Sequence, residues 1–267
     1  MSVVGPVRPV AAVECEILDP GLLGRCEWDA EQARRDCEVL AWIGRFRFVT
    51  AQAVADRFDV SWQQANARVR RLERLGLIGR EREHVSQPHA LFLTGKGHEL
   101  LGRPRRRPPR AQVQREHEAA IVWLVTQLER AEPSTRVLTE RECRRLEHDG
   151  QGSYSVHLGA TGGSQRRWPD LVVEQGDARR AIEIEFAPKG TDRLRRIVEA
   201  YRNSAYSHAL FLVKSVALGR RIRRVTERLP PPPDWIGWAV ADIQIAAWPA
   251  LPEVDRRHLD EALARDT

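Results

Sequence analysis

The chain has 267 residues, 42% hydrophobic and 30% charged, a balance that suits folded domains and excludes an intrinsically disordered polymer. Its net charge of +6 favours a polyanionic partner. No apolar run approaches the roughly 18 residues a membrane span needs, and the start of the chain lacks the basic and apolar segments of a signal peptide. A cytoplasmic protein with no membrane partner is expected.

Basic residues are almost all arginine; lysine stands only at Lys96, Lys189 and Lys214. The four cysteines, Cys15, Cys26, Cys37 and Cys143, form no Cys-x-x-Cys pair, which argues against a structural zinc site and for buried, reduced thiols. Residues 1–30 carry Gly and Pro with little periodicity and read as an extension. From Glu31 a helical period begins, with Cys37, Leu40, Ala41 and Ile43 near one face. Thr50 is the N-cap of a short second helix to Phe58, and Ser61 that of a third, ending before Gly76.

The third helix carries the most information in this half. Ala65, Val69 and Leu72 fall at i, i+4 and i+7 and form a buried stripe. The other faces carry Gln63, Gln64, Asn66, Arg68, Arg70, Arg71 and Arg74. Leu77–Arg80 and Ala90–Leu93 read as two strands, and Thr94 caps a further helix. Three helices and a two-stranded ribbon in this order predict a winged helix-turn-helix over residues 31–102. In that class the third helix enters the major groove of DNA, where amide and guanidinium side chains suit base edges and phosphates. The loop between the strands would be the wing, with Arg80, Arg82 and His84 near the DNA backbone. The competing reading is a packing or protein-contact domain with a solvated basic face.

Residues 103–110, Arg-Pro-Arg-Arg-Arg-Pro-Pro-Arg, cannot be helical and read as an extended basic linker. Residues 111–267 read as a second domain. A helix over 111–130 precedes strands near 135–138, 170–174 and 181–186, a helix from Thr191 to about Tyr206, a strand over 209–213, a basic helix over 218–229 and a last strand over 243–248. The expected fold is α/β (α+β for the whole chain), a mixed sheet flanked by helices.

The chemistry of this half lies between Trp168 and Lys189. Alternation along a strand sets Ile182, Ile184 and Phe186 on one face and Glu183 and Glu185 on the other. A short hairpin would bring Asp170 to Glu183. Buried carboxylates need a partner or a metal, and three convergent oxygens suit Mg²⁺, which activates water in phosphodiester hydrolysis. The competing reading has Arg179, Arg180, Arg193 and Arg196 pairing with these acids in an inactive fold.

Trp168-Pro169-Asp170 followed by Glu183 and Glu185 resembles the PD-(D/E)xK nuclease superfamily, with glutamate at 185 where that motif has lysine. The resemblance implies metal ligands at Asp170 and Glu183, a Glu185 that binds metal or orients water, an additional ligand at Glu118 or Glu116 on the preceding helix, and a phosphate-contacting Lys189. The layout also resembles the replication-relaxation family of plasmids and mobile elements, through Leu93-Thr94-Gly95-Lys96-Gly97, Trp168-Pro169-Asp170 and residues 183–189. That resemblance implies a winged helix joined to a PD-(D/E)xK-like domain in a DNA-handling protein. The expected activity is a Mg²⁺- or Mn²⁺-dependent DNA endonuclease or nickase. The alternatives are a non-catalytic DNA-binding regulator or accessory factor of plasmid replication or transfer, and a protein-interaction adaptor. The expected partners are DNA, a second copy of the chain, and replication or transfer proteins.

Overall fold

The computed structural model describes residues 30–82, 88–105, 109, 111–159, 165–229 and 242–247. The expectations for residues 1–29 and for His84 fall outside the described residues. The chain divides into two compact units, residues 1–136 and 137–267.

In the first unit α1 (Ala30–Ile43) buries Cys37, Leu40, Ala41 and Ile43, the apolar face read from the sequence. Thr50 accepts the Ala53 N–H at 3.1 Å and starts α2 (Ala51–Phe58). Ser61 opens α3 (Trp62–Arg74) with a capping box: its hydroxyl accepts the Gln64 N–H at 3.2 Å, and the Gln64 side-chain Oε1 accepts the Ser61 N–H at 3.0 Å. Ala65, Val69 and Leu72 are fully buried. Gly76, at φ 71°, ends the helix in a conformation that only glycine adopts cheaply.

An antiparallel hairpin follows, β1 (Ile78–Glu81) with β2 (Ala90–Leu93), and Val49 bridges to Leu91 on its other edge. Thr94 then caps α4 (Gly95–Leu100). The Leu93–Gly97 stretch has a definite structural task. The Thr94 hydroxyl donates to the Gly76 carbonyl at 2.5 Å, and Lys96 Nζ donates to the Leu75 carbonyl at 3.1 Å. Both satisfy carbonyls that the C-terminus of α3 leaves open. A Cβ at Gly97 would run into the Leu77 carbonyl oxygen. Gly97→Ala is therefore expected to lower stability by about 1–3 kcal/mol, the usual cost of overpacking, and a shift in the urea midpoint measures it.

The helix expected to open the second domain belongs instead to the first unit. This is α5 (Gln112–Ala131), and its carboxylates explain the assignment. Glu129 receives Arg45 Nη1 at 2.5 Å and Arg57 Nε at 2.6 Å, and Glu118 accepts the Arg47 N–H at 2.7 Å. With Arg45 only 3% exposed, this ion triad ties α5 to the α1–α2 region.

The second unit is a mixed five-stranded sheet in the order β3 (Arg136–Thr139), β6 (Leu171–Gln175), β7 (Ala178–Glu185), β8 (His208–Val213), β9 (Asp242–Ala247). β6 and β7 form an antiparallel hairpin turning at Gly176, while β7, β8 and β9 are parallel. The crossover helices are α7 (Thr191–Arg202) and α8 (Val216–Glu227). Between β3 and β6 the chain forms α6 (Glu140–His148) and a small separate hairpin, β4 (Val156–Leu158) with β5 (Gln165–Arg167), none of which the sequence reading anticipates. β7 is the central strand, and Ala181 to Glu185 are all buried.

Candidate functional site

Two clusters carry chemistry, one in each unit. The first is the outer face of α3. Gln63, Gln64, Ala67, Arg70 and Arg74 are exposed, and Trp62 stands 49% exposed at the start of the helix. Trp62, Gln63, Ala67, Arg70 and Arg74 line a shallow groove along this face. Arg80 of β1 reaches back to the same helix, with Nη2 3.4 Å from both Asn66 Oδ1 and Glu73 Oε2.

The structure sorts the side chains that the sequence grouped together here. Arg71 is turned inward: its Nε and Nη2 donate at 2.6 and 2.5 Å to the two oxygens of Asp36, a fully buried carboxylate on α1. It is a bracing residue of the fold, not part of the exposed face. Gln64 is exposed but spends its carbonyl oxygen on the capping box. Arg68 is half-buried and Arg82 exposed.

The second cluster forms where β6 meets β7. One step beyond the Leu171–Ile182 pair, Asp170 stands opposite Glu183, as the hairpin reading requires. Asp170 Oδ2 accepts the Ile184 N–H at 2.7 Å. Glu183 is 2% exposed and fully engaged. Arg167 grips it with two bonds, Nε to Oε1 at 3.1 Å and Nη2 to Oε2 at 2.5 Å, and the Tyr201 hydroxyl donates to Oε1. Tyr201 is itself fully buried, edge-on to Phe211 with ring centroids 6.0 Å apart. Glu185, 4% exposed, holds Lys189 Nζ one strand-end turn later.

The electrostatics follow from this crowding. Burial, and then the facing Asp170 carboxylate, raise the proton affinity of Glu183, while Arg167 and Tyr201 oppose the rise. Burial would weaken the Arg167 charge, but Glu183 more than offsets it and the guanidinium stays protonated. Burial pushes Lys189 down to about 8, against the attraction of Glu183 and Asp170. Tyr201 is held firmly in its protonated form by burial and by the Glu183 charge.

These contacts test whether the acids fit a divalent ion. A hydrated Mg²⁺ needs carboxylate oxygens with open lone pairs converging on one point. Here both oxygens of Glu183 and one of Glu185 are taken by cations of the chain, and two positive charges already sit among three acids. Among the described residues no three His, Cys, Asp or Glu side chains gather as a metal-holding group. Glu118, the expected additional ligand, lies on α5 in the other unit and receives the Arg47 N–H. In this arrangement the chain's own cations occupy the oxygens that a metal would need, with Glu183 and Glu185 buried and Asp170 half-buried. The arginine that pairs is also a different one. Arg167 engages Glu183, whereas Arg179 pairs with Glu174 at 3.1 Å.

Sequence reasoning missed four residues that build these regions: Arg167, Tyr201 in its role toward Glu183, Glu147 and Asp36. Glu147 on α6 is a hub for the approach to Asp170. It accepts the N–H groups of Tyr154 and Ser155 at 3.0 and 2.8 Å, the Ser155 hydroxyl at 2.6 Å and Trp168 Nε1 at 2.9 Å. Arg144 lies over the Trp168 ring at 4.3 Å. Burial alone would raise the Glu147 pKa, yet these donors hold it below the ordinary value. A lowered folded pKa contributes stability above the unfolded pKa of about 4.3 and loses it as pH falls further. Thermal melts of wild type and Glu147→Gln are thus expected to differ at neutral pH and to converge as pH falls below the unfolded pKa and through the lowered folded one.

Cys37 and Cys143 are buried free thiols. No helix among the described residues is long and apolar enough to cross a membrane. The chain matches no family model, no curated protein and no solved structure.

Proposed function

We propose that this is a DNA-binding protein, with a winged helix-turn-helix in its first unit and a PD-(D/E)xK-like second unit that serves as a non-catalytic scaffold. The observation that carries the reading is the outer face of α3. Gln63, Arg70 and Arg74 project from one exposed strip, while Asp36, the capping box and the Thr94–Lys96 contacts fix the helix from behind. A helix about 10–12 Å wide fits a major groove of about 12 Å, and its guanidinium and amide groups match guanine and adenine edges and phosphates. Arg82 follows the first strand of the hairpin and would meet the flanking backbone. A role as a regulator or accessory factor in plasmid replication or transfer is the biological setting that the family resemblance suggests.

A Mg²⁺- or Mn²⁺-dependent DNA endonuclease or nickase is the second reading. The juxtaposition of Asp170, which immediately precedes β6, with Glu183 on β7 favours it, and it requires Arg167 to leave Glu183. Incubation with supercoiled plasmid separates the two. The scaffold reading predicts retarded but uncut plasmid, with or without Mg²⁺ or Mn²⁺. Nicked or linear product that disappears in Asp170→Asn would establish the second reading instead.

A further inference from the structure

Arginine is abundant in this chain, and several of the buried or half-buried ones have carboxylate partners: Arg45 and Arg57 on Glu129, Arg71 on Asp36, Arg167 on Glu183, Arg179 on Glu174. A different group stands out in the second unit. Arg193, Arg195 and Arg196 on α7, and Arg220, Arg223 and Arg224 on α8, are all exposed. Among the described residues no carboxylate pairs with any of the six. α7 and α8 pack against each other, and Arg221 Nη2 donates to Thr191 Oγ1 at 3.0 Å between them. Their apolar stripes, Leu194, Ile197 and Val198 on one and Leu218, Ile222 and Val225 on the other, are buried, so the arginines form the outer surface of a two-helix layer.

Their spacing adds mutual repulsion. Arg220 repels Arg223 and Arg224 at i+3 and i+4, and Arg193 repels Arg196 at i+3. The acids on these helices are Asp192, Glu199 and Glu227, against six exposed arginines. A surface with this charge, and with no carboxylate partner among the described residues, is relieved by a polyanion that releases counterions as it docks. Guanidinium groups also grip phosphate oxygens in pairs, which ammonium groups do not.

We propose that the α7–α8 surface is a second DNA contact, holding the phosphodiester backbone of a duplex without reading its bases. Two helices packed about 8–10 Å apart are together too wide for one major groove, so base edges are out of reach of the pair. The surface lies in the other unit from α3 and goes beyond the function proposed above, resting on different residues.

The test measures binding of fluorescent duplexes of unrelated sequence over a range of NaCl. It compares wild type with Arg220→Gln/Arg223→Gln/Arg224→Gln, whose exposed positions leave folding intact by circular dichroism. The triple variant is expected to bind every duplex more weakly by a similar factor. Its plot of log affinity against log salt should be shallower by about 2–3, from about 0.9 for each phosphate that the variant no longer neutralises. Combining it with Arg70→Ala/Arg74→Ala should remove binding altogether. A folded triple variant with unchanged affinity and slope overturns the second contact while leaving α3 as the reader. Binding lost in the triple variant but untouched by Arg70→Ala/Arg74→Ala sinks the α3 reading and keeps this one. Preference for a single-stranded RNA of equal length would overturn the assignment to duplex DNA.

Discussion

Arg71→Ala is expected to destabilise the first unit by about 3–5 kcal/mol, the cost of leaving one partner of a buried ion pair alone. Asp36 has no exposed surface, and the guanidinium of Arg71 meets both of its oxygens, at 2.6 and 2.5 Å. The surroundings are dry enough that burial, helped by the Asp36 charge, pushes the neighbouring Cys37 thiol up to about 11. Alanine at 71 would leave a carboxylate with neither water nor cation to stabilise it. Arg70, next in the chain, is exposed, and Arg70→Ala should move stability by no more than about 0.5 kcal/mol. Urea unfolding of the two variants at neutral pH makes the comparison. Equal, small shifts would mean that Arg71 does not brace α1 against α3.

Arg167→Ala should cost about as much in the second unit, and with a characteristic pH dependence. Glu183 already has a raised proton affinity, from burial first and from Asp170 second, and Arg167 is the leading influence that lowers it. Without Arg167 the folded-state pKa rises further. A group whose folded pKa lies above its unfolded value adds stability below the unfolded pKa and loses it as pH climbs through the folded one. The defect of Arg167→Ala is therefore expected to be largest at neutral pH and to shrink on mild acidification, when Glu183 takes up a proton. Chemical denaturation at two pH values reads this directly. A defect independent of pH would indicate that Arg167 acts by packing and not by charge.

The local elements are largely legible in the sequence because their signals are local. Thr50, Ser61 and Thr94 cap the helices that their side chains predict, and the buried stripe of α3 follows from its spacing. The nearness of Asp170 to Glu183 follows from a hairpin register that sets Leu171 opposite Ile182. What stays hidden depends on long-range partners. The Arg167–Glu183 bond spans 16 residues and the Arg71–Asp36 bond 35, and no periodicity announces either. For the same reason the sequence does not announce the ties of α5 to the first unit: the Pro-Arg stretch before it looks like a domain boundary, and Glu129 gives no sign of binding Arg45 at a separation of 84. α6 escapes notice although Thr139 and Glu142 form a capping box, because its charged run masks a short amphipathic helix.

The proposed function rests most directly on the exposed face of α3. Its sharpest measurement is the affinity of a labelled DNA duplex for wild type and for Arg70→Ala/Arg74→Ala, with the unfolding midpoint of each recorded alongside. Removing two arginine contacts at about 1–3 kcal/mol each should weaken binding at least tenfold with the midpoint unmoved. Undiminished affinity in the folded variant would contradict the account.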